Sequence, residues 1–195
     1  MIYKAYDVPQ GLMHIKHAFT ANELADVDAA LAREGWLENE QAMRFSPLPD
    51  WLDAFARRLR DIALETKFID AHEGDLFAFS QCIVNQYMPP GGLSPHVDLA
   101  AFGEVVVSLS LRSTIAMEFE PVEREHSSIT TTAVRLDHGD LLFIRGDARR
   151  RFTHAIPPRF EDVFDAIAVP RAHRVSLTLR TMHPDGHLLT TPASV

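Results

Sequence analysis

A histidine and an aspartate two positions apart, His96 and Asp98, are the side chains of this sequence best suited to hold a metal ion. In an extended segment both would leave the same face of the chain and could reach one ion. A third ligand is needed, and His154 follows the apolar run "DLLFI" and precedes a proline turn. Two imidazoles and one carboxylate form the facial triad typical of non-haem Fe(II), which leaves positions open for oxygen and a cosubstrate.

The triad by itself is a weak signal, because the chain contains ten histidines. A lone histidine is more often a hydrogen-bonded residue of the core or surface than a metal ligand. The turn-rich stretch "MPPGGLSP" before His96 favours the metal interpretation, since prolines and glycines can aim a short segment at one point.

The last predicted strand, "RVSLTLR", has one polar and one apolar face, because residues at alternate positions share a face. The polar face comprises Arg174, Ser176, Thr178 and Arg180. On an exposed sheet edge such a row would only be solvated, whereas inside a barrel it would bind an anion. By the same spacing Asn85 and Tyr87 share a face. Tyrosine and arginine together are good hydrogen-bond donors to a carboxylate.

Two amphipathic helices and then a series of short strands are predicted to position these residues. In the first helix, "TANELADVDAALAREG", Thr20 and Glu23 have the spacing of a capping box, and the second, "DWLDAFARRLRDIALE", has Asp50 as its cap. The predicted strands are "FAFSQCIVNQY", "VVVSLSL", "IAMEF", "TAVRL", "DLLFI" and "RVSLTLRTM". This order predicts an α+β protein whose core is a double-stranded β-helix, a cupin-like jelly roll, with supporting N-terminal helices.

The length of 195 residues predicts a single domain. Within it we expect helical support and a lid over residues 1–75, the β-helix core over 76–182 and a tail over 183–195. The chain has no apolar run long enough to span a bilayer and no signal-peptide layout, which predicts a cytoplasmic protein without a membrane partner. We expect a monomer, and we expect the single cysteine, Cys82, to be a small core residue.

The charge distribution bears on nucleic acid as a partner. A net charge of −8 disfavours non-specific binding to phosphates. The stretch "RGDARRRF", residues 145–152, places four arginines close together and could form a local basic patch. A solvated surface loop is the alternative for such a cluster.

Taken together, the N-x-Y, H-x-D, "GDLLFIRGDARRRFTHAI" and R-x5-R motifs resemble the AlkB family of Fe(II)- and 2-oxoglutarate-dependent dioxygenases. The resemblance covers residues 76–182, and the segment "SPLPDWL", residues 46–52, is similar as well. As an ordered set these motifs are far more specific than any one of them. The runs "NQY", "HVD" and "VVSLSL" look closest to the tRNA-hydroxylase branch and its bacterial relatives.

The resemblance implies that His96, Asp98 and His154 hold Fe(II), with 2-oxoglutarate and O2 as cosubstrates. It places the far carboxylate of 2-oxoglutarate at Arg174 and Tyr87, with Asn85 beside it and Ser176 in the same cosubstrate-binding set. Arg180 matches the second arginine of the family motif, which belongs to both the catalytic and the cosubstrate-binding sets and lies near the metal carboxylate and the substrate.

The resemblance also implies oxidation of a substrate C–H bond, and an N-methyl group oxidised in this way is released as formaldehyde. Residues 36–49 would form the lid that recognises nucleotides in the family, and Trp36, Phe45 and Trp51 could stack on a base or anchor the core. One position departs from the pattern. Ala100 stands where the prototype repair enzymes have an acidic residue that helps to hold an alkylated base.

Three functions therefore remain open from the sequence. The first is oxidative demethylation or hydroxylation of an alkylated or modified base in DNA or RNA, including tRNA. The second is the same chemistry on a protein or small-molecule substrate. The third is a non-catalytic barrel that binds a metal or a small acid.

Overall fold

The structure is a computed structural model and describes residues 2–5, 9–123 and 131–183. Its helices are α1 (Ala21–Arg33), α2 (Asp50–Glu65) and the short α3 (Gly146–Arg150), and a 3-10 helix covers Ala71–Phe77. Its strands are β1 (Ile2–Ala5), β2 (Leu12–Lys16), β3 (Gln41–Phe45), β4 (Gln81–Tyr87), β5 (Leu93–His96), β6 (Phe102–Arg112), β7 (Ile115–Pro121), β8 (Thr132–Leu136), β9 (Leu141–Ile144), β10 (Phe152–Ile156), β11 (Glu161–Phe164), β12 (Ile167–Pro170) and β13 (Arg174–Met182).

Two antiparallel sheets pack on each other. The seven-stranded sheet has the order β1-β2-β9-β6-β13-β4-β3, and the four-stranded sheet has the order β5-β10-β7-β8. Apolar residues from both sheets, among them Val106 and Leu142 of the larger and Phe119 and Val134 of the smaller, form one buried cluster between them. This arrangement is the double-stranded β-helix predicted from the sequence, and the hairpin β11-β12 is an addition to it.

The helices pack on the outer face of the seven-stranded sheet. Leu31 of α1, Leu59 of α2 and Val175, Leu177 and Leu179 of β13 belong to a second buried cluster. Cys82 lies in the same cluster, and burial raises the pKa of its thiol to about 12, so the predicted core cysteine is confirmed. The strand β13 thus gives its apolar face to the helices, which leaves its polar face for the space between the sheets.

The cap predicted for α1 is observed, and the cap predicted for α2 is not. At α1 the Thr20 side chain accepts from the backbone N–H of Glu23, and the Glu23 side chain accepts from the backbone N–H of Thr20, so the predicted capping box is confirmed. The predicted cap of α2 is wrong, because Pro49 occupies that position and Asp50 is the first helical residue. No described helix is long and apolar enough to cross a membrane.

Residues 1–75 contribute more than the predicted helices, because β1, β2 and β3 all join the seven-stranded sheet. The sequence signal for β2 is poor, since four successive residues of this strand are buried and its two faces do not alternate in polarity. The strand β3 lies within the predicted lid, residues 36–49, where it pairs with β4 at the sheet edge.

The three aromatic residues predicted to stack on a base or anchor the core have different environments. Trp36 is only 2% exposed and packs in the core with Trp51, their ring centroids being 5.9 Å apart. Trp36 and Trp51 are therefore core anchors rather than free stacking platforms. Phe45, at the end of β3, is 54% exposed.

A buried ion pair attaches the hairpin β11-β12 to the rest of the protein. Asp162 of β11 accepts from Nε and Nη2 of Arg171 at 2.7 and 2.8 Å and from the backbone N–H of Ala116 at 3.1 Å. Both side chains of the ion pair are almost fully buried, at 1% and 2% exposure. Removing Asp162 would leave the Arg171 charge buried without its carboxylate partner.

We predict that Asp162→Ala lowers the free energy of unfolding by about 3–5 kcal/mol, as measured by urea denaturation, because breaking a buried pair leaves an unpaired charge. The matched control is Asp147→Ala, which removes an exposed pair with Arg151 of 3.9 Å separation and should cost about 0–1 kcal/mol. Equal losses of unfolding free energy in the two variants would contradict the proposed contribution of the buried pair to stability.

Candidate active site

The strand pairing of β5 with β10 brings the two predicted histidine ligands together. His96 and His154 are direct cross-strand partners, and their ring centroids lie 4.3 Å apart. Asp98 follows β5 by two residues, and potential ligand atoms of the three side chains all lie within 4.8 Å of one another. His154 and Asp98 are buried and His96 is partly exposed, so the cluster has one open side.

The loop before His96 must pass close to the end of β10. A Cβ atom at Gly92 would lie 2.1 Å from the backbone oxygen of Ile156, and such an approach is possible only for glycine. The turn-rich stretch noted in the sequence therefore carries the chain from β4 in one sheet to β5 in the other and brings β5 against β10.

The hydrogen bonding of His96 and the burial of His154 suit metal binding. Nδ1 of His96 lies 2.9 Å from the backbone oxygen of Ser94, and since a carbonyl oxygen can only accept, Nδ1 carries the proton and Nε2 is free. Burial lowers the pKa of His154 to about 4, although the Asp98 carboxylate acts in the opposite direction. A neutral imidazole is the form that ligates a metal ion. Nδ1 of His154 is buried and has no hydrogen-bond partner in the described part of the chain.

Arg180 lies at the carboxylate of the cluster, as the sequence resemblance implies. Its Nη2 atom is 2.8 Å from Oδ1 of Asp98, and both side chains are largely buried. The guanidinium also lies 4.7 Å above the ring of Phe102 and donates a long hydrogen bond of 3.4 Å to Gln81. These contacts hold Arg180 against Asp98, which fixes the orientation of the carboxylate.

Arg174, at the other end of β13, is a buried cation with spare donors. It is 1% exposed, and its Nη2 atom donates to Oγ of Ser110 at 2.8 Å. Its Nε and Nη1 atoms are buried and have no partner of ordinary hydrogen-bond geometry among the described residues. Burial lowers its pKa to about 10, and Tyr87, whose ring lies 5.2 Å from Cζ, opposes this shift.

Unpaired donors on a buried guanidinium are costly unless an anion meets them. The predicted carboxylate of 2-oxoglutarate fits this requirement, because it could accept from one of the spare donors of Arg174. Ser176 is buried next to Arg174 on the same face of β13, and its cross-strand neighbours are Asn85 and Ser110. Asn85 already accepts a hydrogen bond from Nε2 of Gln41 at 2.7 Å.

All eight predicted site residues therefore lie on strands or loops that border the space between the sheets, in two groups. The metal group contains His96, Asp98, His154 and Arg180, and the anion group contains Asn85, Tyr87, Arg174 and Ser176. Three further contacts were not predicted, namely Ser110, Gln41 and Gln81. The alternation of serine with valine or leucine in "VVVSLSL" is a signal that could have identified Ser110.

The arginine-rich stretch 145–152 does not form a free basic patch. Arg145 donates to the backbone oxygen of Phe68 and to Glu73, and Arg150 pairs with Glu104. Arg151 lies 3.9 Å from Asp147, and Arg149 is buried. The positive charge of this stretch is therefore largely used within the protein.

Comparisons with known proteins identify the family of this chain. A sequence model of the 2OG-Fe(II) oxygenase superfamily matches residues 10–180. The chain belongs to this superfamily. Membership implies Fe(II) as the metal and 2-oxoglutarate and O2 as cosubstrates, and the buried triad fits that ion because two imidazoles and one carboxylate are a usual Fe(II) ligand set.

The relatives confirm the resemblance to AlkB-type enzymes. The chain is 32% identical to the tRNA (carboxymethyluridine(34)-5-O)-methyltransferase alkbh8 of Xenopus tropicalis, over 71% of this chain and 20% of that protein. It is 31% identical to an uncharacterized protein of Acanthamoeba polyphaga mimivirus, over 70% of this chain and 61% of that protein. It is 25% identical to the probable RNA/DNA demethylase ALKBH6 of Danio rerio, over 75% of this chain and 68% of that protein.

A solved structure confirms the fold. The structure of OsALKBH1 superposes with a TM-score of 0.64 and 16% sequence identity, covering 90% of this chain and 100% of the other. The double-stranded β-helix is therefore the shared architecture.

We predict that Arg174→Ala raises the dissociation constant for 2-oxoglutarate about 10- to 100-fold, because it removes a charge-assisted contact worth roughly 1.5–3 kcal/mol. The constant can be measured by calorimetry with a redox-inert divalent metal present. The control is Arg112→Ala, since Arg112 is the cross-strand neighbour of Arg174 but pairs with Asp28 on the surface. An unchanged constant for Arg174→Ala would place the anion elsewhere.

Proposed function

We propose that this chain catalyses Fe(II)- and 2-oxoglutarate-dependent demethylation or hydroxylation of alkylated or modified bases in nucleic acid. The observation that carries the proposal is the convergence of His96, Asp98 and His154 within 4.8 Å, with Arg180 bonded to Asp98 and the spare donors of Arg174 on the same strand as Arg180. A binding barrel without turnover would not need a metal triad and two buried arginines together.

In this proposal each residue has a defined task. The two imidazoles and the Asp98 carboxylate would hold the metal, and Arg180 orients that carboxylate through its Oδ1 atom. Arg174 and Tyr87 bind the far carboxylate of the cosubstrate. When bound, Fe(II) with 2-oxoglutarate and O2 supplies oxidation of a substrate C–H bond, coupled to formation of succinate and CO2.

The interior beside the triad is suited to exclude water. Phe119 is fully buried, and its ring centroid lies 6.1 Å from that of His154. Leu93 and Tyr87 pack partly buried against the same apolar cluster. A dry site strengthens the electrostatic contacts of the arginines and limits side reactions.

A nucleic-acid substrate is supported by the names of the relatives and by the rim of the site. Relatives include a tRNA methyltransferase and a probable RNA/DNA demethylase. Phe45 lies opposite Gln81 on the adjacent strand, and Gln81 lies opposite Arg180, so the three side chains share one face of the sheet. The half-exposed ring of Phe45 therefore stands on the same side as the metal group and is available to stack on a base.

A protein or small-molecule substrate is the second candidate. The net charge of −8 disfavours a polyanion, and the arginines of residues 145–152 are occupied within the protein. Ala100 is an exposed residue that cannot supply the acidic contact of the prototype repair enzymes. These observations make the choice of substrate the main point to test.

We predict that the protein forms succinate from 2-oxoglutarate when Fe(II) is added, and that His96→Ala abolishes this turnover because one of three metal ligands is lost. His72→Ala is the matched control, since His72 is an exposed histidine away from the triad, and it should keep full activity. Full activity in His96→Ala would refute the metal assignment, and no turnover with bound iron would favour the non-catalytic barrel.

The same assay identifies the substrate class. Methylated DNA, methylated RNA, tRNA and methylated peptides are added separately, and both succinate and formaldehyde are measured. Stimulation by a nucleic acid with formaldehyde release indicates demethylation, and stimulation without formaldehyde indicates hydroxylation. Stimulation by peptides alone would support the second candidate and contradict the first.

We predict that Phe45→Ala raises the KM for the stimulating nucleic acid about 10-fold or more, since stacking contributes ~1–3 kcal/mol per base. Turnover of 2-oxoglutarate in the absence of substrate should not change, because Phe45 does not contact the metal group. Phe160→Ala is the control, as Phe160 is similarly exposed, at 68%, but lies beside the hairpin β11-β12. Equal KM values for Phe45→Ala and the wild type would remove Phe45 from the substrate site.

A further inference from the structure

The buried arginine of the stretch 145–152 makes contacts that bear on the metal group. Arg149 belongs to α3 and is 5% exposed. Its Nε atom donates to the backbone oxygen of Gly103 at 2.7 Å, and its Nη2 atom donates to those of Phe102 at 2.8 Å and Leu99 at 3.0 Å. A longer contact of 3.4 Å joins Nη1 to the backbone oxygen of Asp98.

Two of these acceptors, Asp98 and Leu99, belong to the loop that carries the metal carboxylate, and the other two, Phe102 and Gly103, are the first residues of β6. Asp98 and Leu99 lie between the end of β5 and the start of β6, where the backbone takes no part in a strand ladder. Inside the loop the backbone N–H of Phe102 donates to the oxygen of Leu99 at 3.0 Å, which makes a turn. The guanidinium of Arg149 therefore supplies hydrogen bonds to the backbone oxygens of Asp98 and Leu99, which lie outside the sheets, and ties them to the start of β6.

We propose that Arg149 is a positioning residue of the metal centre, which acts through the backbone of residues 98–103. This role rests on the proposed function, in which Asp98 is a metal ligand. Arg180 orients the Asp98 carboxylate through its side-chain oxygen, whereas Arg149 fixes the main chain from which that side chain extends. The two arginines together define where the carboxylate stands relative to His96 and His154.

Arginine is required at position 149 because of its shape. A guanidinium is a rigid plane with five N–H donors that point outward in several directions, and here it meets four carbonyl oxygens spread along one turn. A lysine ammonium has its donors on a single atom and cannot span the same set. The conservative change to lysine keeps the charge and removes this geometry.

The test is a titration of the metal-free protein with Co(II), a spectroscopic probe for this type of site, in the absence of cosubstrates. Arg149→Lys should raise the Co(II) dissociation constant about 10- to 100-fold, since residues that orient metal ligands typically have effects of that size. It should also alter the visible absorption of bound Co(II), because the position of one ligand changes. His96→Ala in the same titration shows that the signal comes from the triad.

Two control variants separate positioning from general stability. Arg150→Lys changes the neighbouring exposed arginine, which pairs with Glu104. Arg171→Lys changes a buried arginine whose partner is Asp162, away from the triad. Both should bind Co(II) like the wild type, and Arg171→Lys is expected to lower the unfolding temperature. If Arg149→Lys lowers the unfolding temperature but binds Co(II) with wild-type affinity and spectrum, the positioning role is overturned.

Failure of the positioning role of Arg149 and failure of the proposed enzymatic function give different results. Wild-type protein that binds Co(II) through His96 but never consumes 2-oxoglutarate would contradict the enzymatic function and leave the effect of Arg149 intact. Wild-type protein that does not bind Co(II) at all would contradict both. If Arg149→Lys does not fold, as judged by circular dichroism, Arg149→Gln keeps two donors on a shorter side chain, and its Co(II) affinity decides the proposal by the same criterion.

Discussion

The rest of the structure depends on one constraint, which is that two largely buried arginine side chains on one strand must have partners for their charge. The central strand β13 places Arg174 and Arg180 in the space between the sheets. Two cations in such a place are tolerated only if negative charge or hydrogen-bond acceptors meet them. At Arg180 the negative charge comes from Asp98. At Arg174, the donors that have no partner among the described residues leave this part to a bound anion.

The opposite face of β13 explains how the sheet tolerates this polar row. Val175, Leu177 and Leu179 are fully buried against the helices, so the strand is held by apolar packing on one side. The polar side can then be arranged for binding rather than for stability. The smaller sheet contributes the two predicted histidine ligands through β5 and β10, and the proposed site therefore lies where the two sheets meet.

Much of this arrangement could be predicted where local periodicity is strong. The helix α1, its capping box and the strand β13 follow directly from residue spacing, and all three were predicted correctly. The strands β2 and β3 were missed, because β2 has no alternation and β3 is a short edge strand with mostly exposed residues. The role of the arginine-rich stretch was also missed, since a cluster of like charges looks the same whether its members face solvent or backbone carbonyls.

The sequence by itself determined which residues are candidates for the chemistry, because His-x-Asp, Asn-x-Tyr and alternating arginines on a strand can be recognised from local spacing. Only the tertiary structure decided which of them meet. The pairing of β5 with β10 brings His96 to His154, and α3 packing on the loop after β5 brings Arg149 to the backbone of Asp98. Contacts between residues far apart in the chain depend on how the sheets close on each other, and local propensity contains no information about that closure.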